Sequence, residues 1–83
     1  MVDRELYYIV GRTSCPYCVK AKEYLASKSL EFHFRDLEND RNTLMEYVKK
    51  YEWETVPMIF KFSPERDPEF LGGYNDMINH VEN

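Results

Sequence analysis

Apolar positions fall along the chain in short runs and in spaced stripes. Leu6-Tyr7-Tyr8-Ile9-Val10 is a continuous apolar, aromatic and β-branched run, which predicts a central strand covered on both faces. Gly11-Arg12-Thr13-Ser14 interrupts it. Pro16 suits the first position of a helix, where its missing N–H would find no partner anyway. Cys18, Ala21 and Leu25 then recur at i, i+3 and i+7, with Lys20, Lys22, Glu23 and Lys28 on the other side. A helix from about Pro16 to Lys28 follows. Glu31–Asp36 alternates with period two and sets Phe32 and Phe34 on one face of a second strand.

Asp36, Glu38 and Asp40 gather before the next segment, and Lys49 and Lys50 close it, matching the helix dipole at both ends. Its apolar stripe is Leu44, Tyr47, Val48 and Tyr51. Glu54-Thr55-Val56-Pro57 leads into a third strand, Met58-Ile59-Phe60, continued by Lys61 and Phe62. Phe70-Leu71 before Gly72-Gly73 predicts a short fourth strand. The connection, Phe62–Glu69, carries Pro64, Pro68 and four charges, and is expected to be an extended loop remote from any site at the first helix. Asn75 or Asp76 can cap a last helix with the apolar face Met77, Ile78 and Val81. The order is β-α-β-α-β-β-α. A crossover implies parallel strands and a hairpin antiparallel ones, so an α/β fold with helices on both faces of a small mixed sheet is predicted.

At 83 residues the chain has room for one core, so residues 1–83 are read as one domain. Eleven basic against fifteen acidic side chains leave a net charge of −4, with no surplus to neutralise phosphates. Nucleic acid and anionic membrane are thereby argued against as partners. No apolar run is long enough to span a bilayer, and Met1–Glu5 lacks the layout of a signal peptide. A soluble, cytoplasmic protein is expected.

Cys15 and Cys18 are the only cysteines, in Cys15-Pro16-Tyr17-Cys18. Such a pair closes too small a loop to staple a secreted fold. Zinc would need four ligands, and His33 and His80 stand far apart, so no metal is expected. Near a strand-helix-strand pattern, C-x-x-C reads as a redox pair, with two incidental buried thiols as the alternative. Cys15 falls at the helix N-cap, where its sulfur is expected to accept from the N–H groups of Tyr17 and Cys18. The dipole and the Arg12 cation favour its thiolate. Cys18 lies one turn inside on the apolar side, without such help. One sulfur is therefore an exposed nucleophile and the other a protected resolver.

The chain resembles the dithiol glutaredoxins, closest to the bacterial type. The likeness rests on Gly11-Arg12 followed by Cys15-Pro16-Tyr17-Cys18-Val19, on Thr55-Val56-Pro57, and on Gly72-Gly73-Tyr74-Asn75-Asp76. It implies a thioredoxin-like fold with three helices and a four-stranded mixed sheet in the order 2-1-3-4. It also implies a thiol-disulfide oxidoreductase that uses glutathione as co-substrate against protein-glutathione mixed disulfides and protein disulfides. Ribonucleotide reductase is a family-level candidate partner, and a monomer is expected. Cys15 would be the nucleophile and Cys18 the resolving thiol. Pro57 matches the family's cis-proline, next to a Val56 backbone that would pair with the cysteinyl part of glutathione, with Thr55 beside it. Gly73, Tyr74, Asn75 and Asp76 would receive the γ-glutamyl end, Asp76 pairing with its ammonium. Arg12 would meet the glycyl carboxylate or tune Cys15, and Tyr17 would flank the sulfur.

The remaining conspicuous residues have structural readings. Trp53 is expected to be partly buried beside the Thr55-Val56-Pro57 segment rather than in the groove. His33 is expected in solvent, His80 on the outer face of the last helix, and the Glu38–Asp40 cluster at a helix start. A helix-two cation, Lys49 or Lys50, stays unassigned. Competing readings are a thioredoxin-type reductase, a glutathione-ligated iron–sulfur module and a non-catalytic adaptor. Ser14 stands where thioredoxins usually carry Trp, and Pro16 with the second thiol disfavours the cluster.

Overall fold

The computed structural model describes residues 5–83; the reading of Met1–Arg4 as free of a targeting signal lies outside the described residues. Strand β1 (Leu6–Gly11) is followed by α1 (Pro16–Ser27), β2 (Phe32–Asp36), α2 (Arg41–Tyr51), β3 (Met58–Ser63), β4 (Arg66–Gly72) and α3 (Tyr74–Glu82). The sheet order is β2-β1-β3-β4, with β1 parallel to β2 and antiparallel to β3, and β3 antiparallel to β4. The thioredoxin-like architecture read from the sequence is therefore present. No helix among the described residues is long and apolar enough to cross a membrane.

The continuous apolar run of β1 is explained by its central place. Tyr7 and Ile9 enter one core with Ile59, Ala21 and Leu25 of α1, and Met77 of α3. Val10 faces the other way, into a core with Leu37, Met58 and Phe60, over which Leu44, Tyr47, Val48 and Tyr51 of α2 pack. Ile9, Val10, Leu25, Met58, Ile59 and Met77 are fully buried, each contributing about 1.5–3 kcal/mol by leaving water. Asp40 caps α2 by accepting from the Thr43 N–H at 3.1 Å, and Lys49 and Lys50 sit in its last turn. The dipole pattern thus reads out as expected.

Two local expectations need correction. The segment Phe62–Glu69 is mostly strand rather than loop. Ser63 pairs with Arg66 across a two-residue turn, Pro64-Glu65, and Lys61 pairs with Glu69. The register shifts between Lys61 and Ser63. Prolines and charges that oppose a central strand are tolerated on an edge strand, and β4 is the edge. The last helix also begins earlier than predicted, at Tyr74 with Gly73 as N-cap. Asp76 still serves that end, accepting from the Gly73 N–H at 3.0 Å.

Candidate active site

The parallel pairing of β1 with β2 brings the ends of both strands together, with Gly11 opposite Asp36. From there the chain turns through Arg12–Ser14, closed by a hydrogen bond from the Cys15 N–H to the Arg12 carbonyl at 3.1 Å. Cys15 takes the N-cap position of α1 in extended conformation, and Pro16 opens the helix. The N–H groups of Cys18 and Val19 both go to the Cys15 carbonyl oxygen at 3.1 Å. The Cys15 sulfur makes no cap hydrogen bond, contrary to expectation. The backbone carbonyl already serves the helix end, and the thiol instead donates to the Val56 carbonyl, 3.7 Å away.

Cys18 is fully buried on the core side of α1. Burial pushes its thiol up to about 12, opposed by a hydrogen bond from the Arg12 backbone N–H. Gly11 is required beside it, because a Cβ at that position would run into Cys18 Sγ. The two thiols, one half-buried and one sealed, are free rather than bridged. The two sulfurs thus differ in exposure, Cys15 half-buried and Cys18 buried.

Val56 belongs to one wall of a groove of about 370 Å³ lined by Tyr17, Trp53, Thr55, Val56, Pro57, Gly73, Tyr74, Asn75 and Asp76. The Val56–Pro57 peptide bond is cis. Tyr17 at the start of α1 leans against Tyr74 at the start of α3, ring centroids 5.8 Å apart. Gly72 has φ 114°, a left-handed conformation that favours glycine, and a Cβ there would stand 2.6 Å from Asp76 Oδ2. Eight of the residues singled out in the sequence are thus gathered on one groove.

Trp53 is partly buried, as expected, and lines the groove as well. Its ring stands edge-on to Phe70 at 5.4 Å, and its Nε1–H is buried with no hydrogen-bond partner among the described residues. Arg12 is not on the groove. It lies in a neighbouring depression with Leu37, Glu38, Arg41 and Leu44, its guanidinium 3.4 Å from Glu38. Lys49 and Lys50 also stand outside the groove lining, Lys50 facing a separate depression with Arg35 and Tyr51. His33 is exposed and stacks on Tyr8, whereas His80 is half-buried with Nε2 3.1 Å from Lys61 Nζ, not simply on an outer face.

The acidic cluster does more than start a helix. Asp36 accepts from the Thr13 N–H at 3.2 Å, and Glu38 accepts from the Ser14 N–H at 3.0 Å and from Thr13 Oγ1 at 3.4 Å. The Ser14 backbone, with Arg12 alongside, holds the Glu38 carboxyl below its usual range. One signal for this was available: residues just past the ends of two parallel neighbouring strands share one edge of the sheet.

A family model described as Glutaredoxin matches residues 6–62. The chain belongs to the glutaredoxin family. It is similar to Glutaredoxin 3 of Escherichia coli (strain K12), 31% identical over 77 residues that cover 93% of this chain and 83% of that protein. It is also similar to Glutaredoxin 1 of the same strain, 36% identical over 82 residues, covering 89% of each. The crystal structure of Glutaredoxin 1 from Francisella tularensis complexed with cacodylate superposes with a TM-score of 0.73 at 22% identity, covering 94% of this chain and 93% of that one. That likeness supports the fold. This glutaredoxin is a thiol-disulfide oxidoreductase enzyme, with C-x-x-C spacing at Cys15 and Cys18.

Proposed function

We propose that the protein, acting as one domain in the reducing cytoplasm, uses glutathione to reduce protein-glutathione mixed disulfides and protein disulfides. Cys15 is the nucleophile in this reading. Its thiolate attacks the glutathionyl sulfur, forming a Cys15–glutathione disulfide and expelling the protein thiolate, which takes up a proton. A second glutathione thiolate attacks the glutathionyl sulfur, returning Cys15 and releasing glutathione disulfide. With a protein disulfide, Cys15 forms the mixed disulfide and Cys18 displaces the second protein thiol. The resulting Cys15–Cys18 disulfide is reduced by two glutathiones. The groove residues Tyr17, Thr55, Val56, Pro57, Gly73, Tyr74, Asn75 and Asp76 hold the tripeptide in this account, with Val56 offering its backbone beside the reacting sulfur.

One observation carries the reading: the half-buried Cys15 sulfur opens towards Val56 on the groove, while Cys18 is sealed. The test is reduction of a small glutathione mixed disulfide, supplied with electrons either by glutathione and its reductase or by thioredoxin reductase. Turnover with the first supply alone is expected. Turnover with the second alone would overturn glutathione dependence and favour a thioredoxin-type route. A brown colour in fresh protein would point to a cluster instead.

A further inference from the structure

The loop that delivers Cys15 is fastened from outside its own helix. Arg12, Thr13 and Ser14 together present two backbone N–H groups, a hydroxyl and a guanidinium to the end of β2 and the connection after it; Glu38 takes two of the four and shares the hydroxyl with Asp36 Oδ2 at 3.5 Å. Glu38 Oε1 accepts from the Ser14 N–H at 3.0 Å and from Thr13 Oγ1 at 3.4 Å, and its Oε2 lies 3.4 Å from Arg12 Nη2. Asp36 takes the Thr13 N–H at 3.2 Å and is itself fixed by the Glu38 N–H at 3.0 Å. Ser14 immediately precedes Cys15. Arg12 and Cys15 are the two ends of one hydrogen-bonded turn, so the cation is carried three residues from the sulfur, with its guanidinium turned to Glu38.

We infer that Glu38 is a positioning residue that does two opposed things to Cys15. Its oxygen latches the loop, and its charge keeps Arg12 from the sulfur. The inference rests on Cys15 being the nucleophile. A carboxylate bonded to the residue before a reacting thiol adds negative charge on that side of it, and a cation diverted to that carboxylate is less free to favour the thiolate. Glu38 thus holds reactivity down while holding geometry fixed. The pair is partly exposed, 46% for the Arg12 side chain and 28% for Glu38, so the effect is screened by salt. The charged or titratable groups around the loop and groove include Arg12, Asp36, Glu38 and Arg41 on one side, Cys18, Tyr17, Tyr74 and Asp76 on the other, and Lys20 and Lys22 of α1, Lys20 over the Tyr17 ring and Lys22 acting on Cys18.

Alkylation of the reduced protein by iodoacetamide across pH separates the two effects. Glu38→Gln keeps an oxygen for the Ser14 N–H but removes the charge. It is expected to alkylate about fivefold faster at pH 6 and low salt, with the whole profile moved to lower pH and the gain shrinking in high salt. Glu38→Ala removes the latch as well, and is expected to lose turnover on a small mixed disulfide despite the released cation. Adding Arg12→Gln to Glu38→Gln should cancel at least half of the gain. An unmoved profile in Glu38→Gln, or a gain that persists without Arg12, overturns the inference. Modification of Cys18 instead of Cys15, located by peptide mass, would overturn the nucleophile assignment itself, a failure distinct from the first two.

Discussion

The Cys15 sulfur stands 3.7 Å from the carbonyl oxygen of Val56, across 41 positions of sequence. The sheet makes this meeting. Val10 pairs with Met58, so the chain just before β3 arrives at the same edge where β1 gives way to α1. A substrate backbone laid along Val56 would carry its disulfide past Cys15, while Cys18 waits behind with no exposed surface. In the proposed reading, the order of attack is then a matter of access.

Cys15→Ser is therefore expected to abolish activity on every substrate. Cys18→Ser should spare reduction of a small glutathione mixed disulfide and lose most activity on a protein disulfide. Initial rates on both substrates decide it. Equal loss in the two variants on the small substrate would contradict the division of labour.

Burial sets the ionisation of Cys18. A folded thiol raised to about 12, against about 8.5 in an unfolded chain, binds its proton more tightly when folded. Below the unfolded value both states are protonated and nothing is lost. Above it the unfolded chain ionises first, so stability of the reduced protein should decline as pH rises from about 8.5 towards the folded value. Urea midpoints of reduced Cys15→Ser between pH 7 and 10 should fall, and those of Cys15→Ser with Cys18→Ala should fall less.

Much of this was legible in residues. The run Leu6–Val10 signalled its central place because a strand covered on both faces has no polar side to alternate. The N-cap position of Cys15 followed from Pro16. Less legible were features that depend on who stands across the sheet. The prolines of 62–69 mark an edge strand as readily as a loop, and only pairing with β3 distinguishes them. Glu38 looked like helix punctuation because its partners, Ser14 and Arg12, come from the preceding crossover. The Cys15 sulfur turns away from its own helix for the same reason: Val56 competes from 41 residues away.

Gly72, next to the groove-lining Gly73, is held in a backbone conformation that only glycine adopts without strain. Gly72→Ala combines a left-handed φ of 114° with a Cβ 2.6 Å from Asp76 Oδ2, which must then release the Gly73 N–H. A loss of about 2–3 kcal/mol is expected, roughly 10 °C or more in Tm for a domain of this size. Calorimetry checks it. A change under 2 °C would mean that the α3 entrance adjusts freely.

Asp76→Asn tests the groove without emptying it. The amide oxygen can still accept from the Gly73 N–H, so stability should change little. Loss of the charge should weaken glutathione-dependent turnover by about five- to thirtyfold if the carboxylate meets the γ-glutamyl ammonium, the worth of a charged hydrogen bond of ~1–2 kcal/mol. Turnover driven by dithiothreitol should hardly move. Parallel loss with both reductants would reduce Asp76 to its capping role.

The hairpin at the other end of the sheet supplies a control for all of these. Pro64-Glu65 joins β3 to β4 at the end where Leu6 pairs with Phe62, whereas the groove lies at the end where Val10 pairs with Met58. Asn-Gly is favoured in two-residue hairpin turns because both positions accept a left-handed backbone, so replacing Pro64-Glu65 by Asn-Gly should retain the register Ser63 to Arg66. Activity on the small mixed disulfide should stay within about twofold of the parent, since the change lies far from the loop that carries Cys15. Deleting Ser63–Glu69 is a different experiment. It removes Ser63 with Arg66 and the partner of Lys61, leaving only the pairs Phe60 with Phe70 and Ile59 with Gly72 to hold the edge strand, so the fold should be clearly weakened by it. Circular dichroism separates the two outcomes. A turn replacement that folds yet loses activity would show that strain at this hairpin reaches the groove through β3.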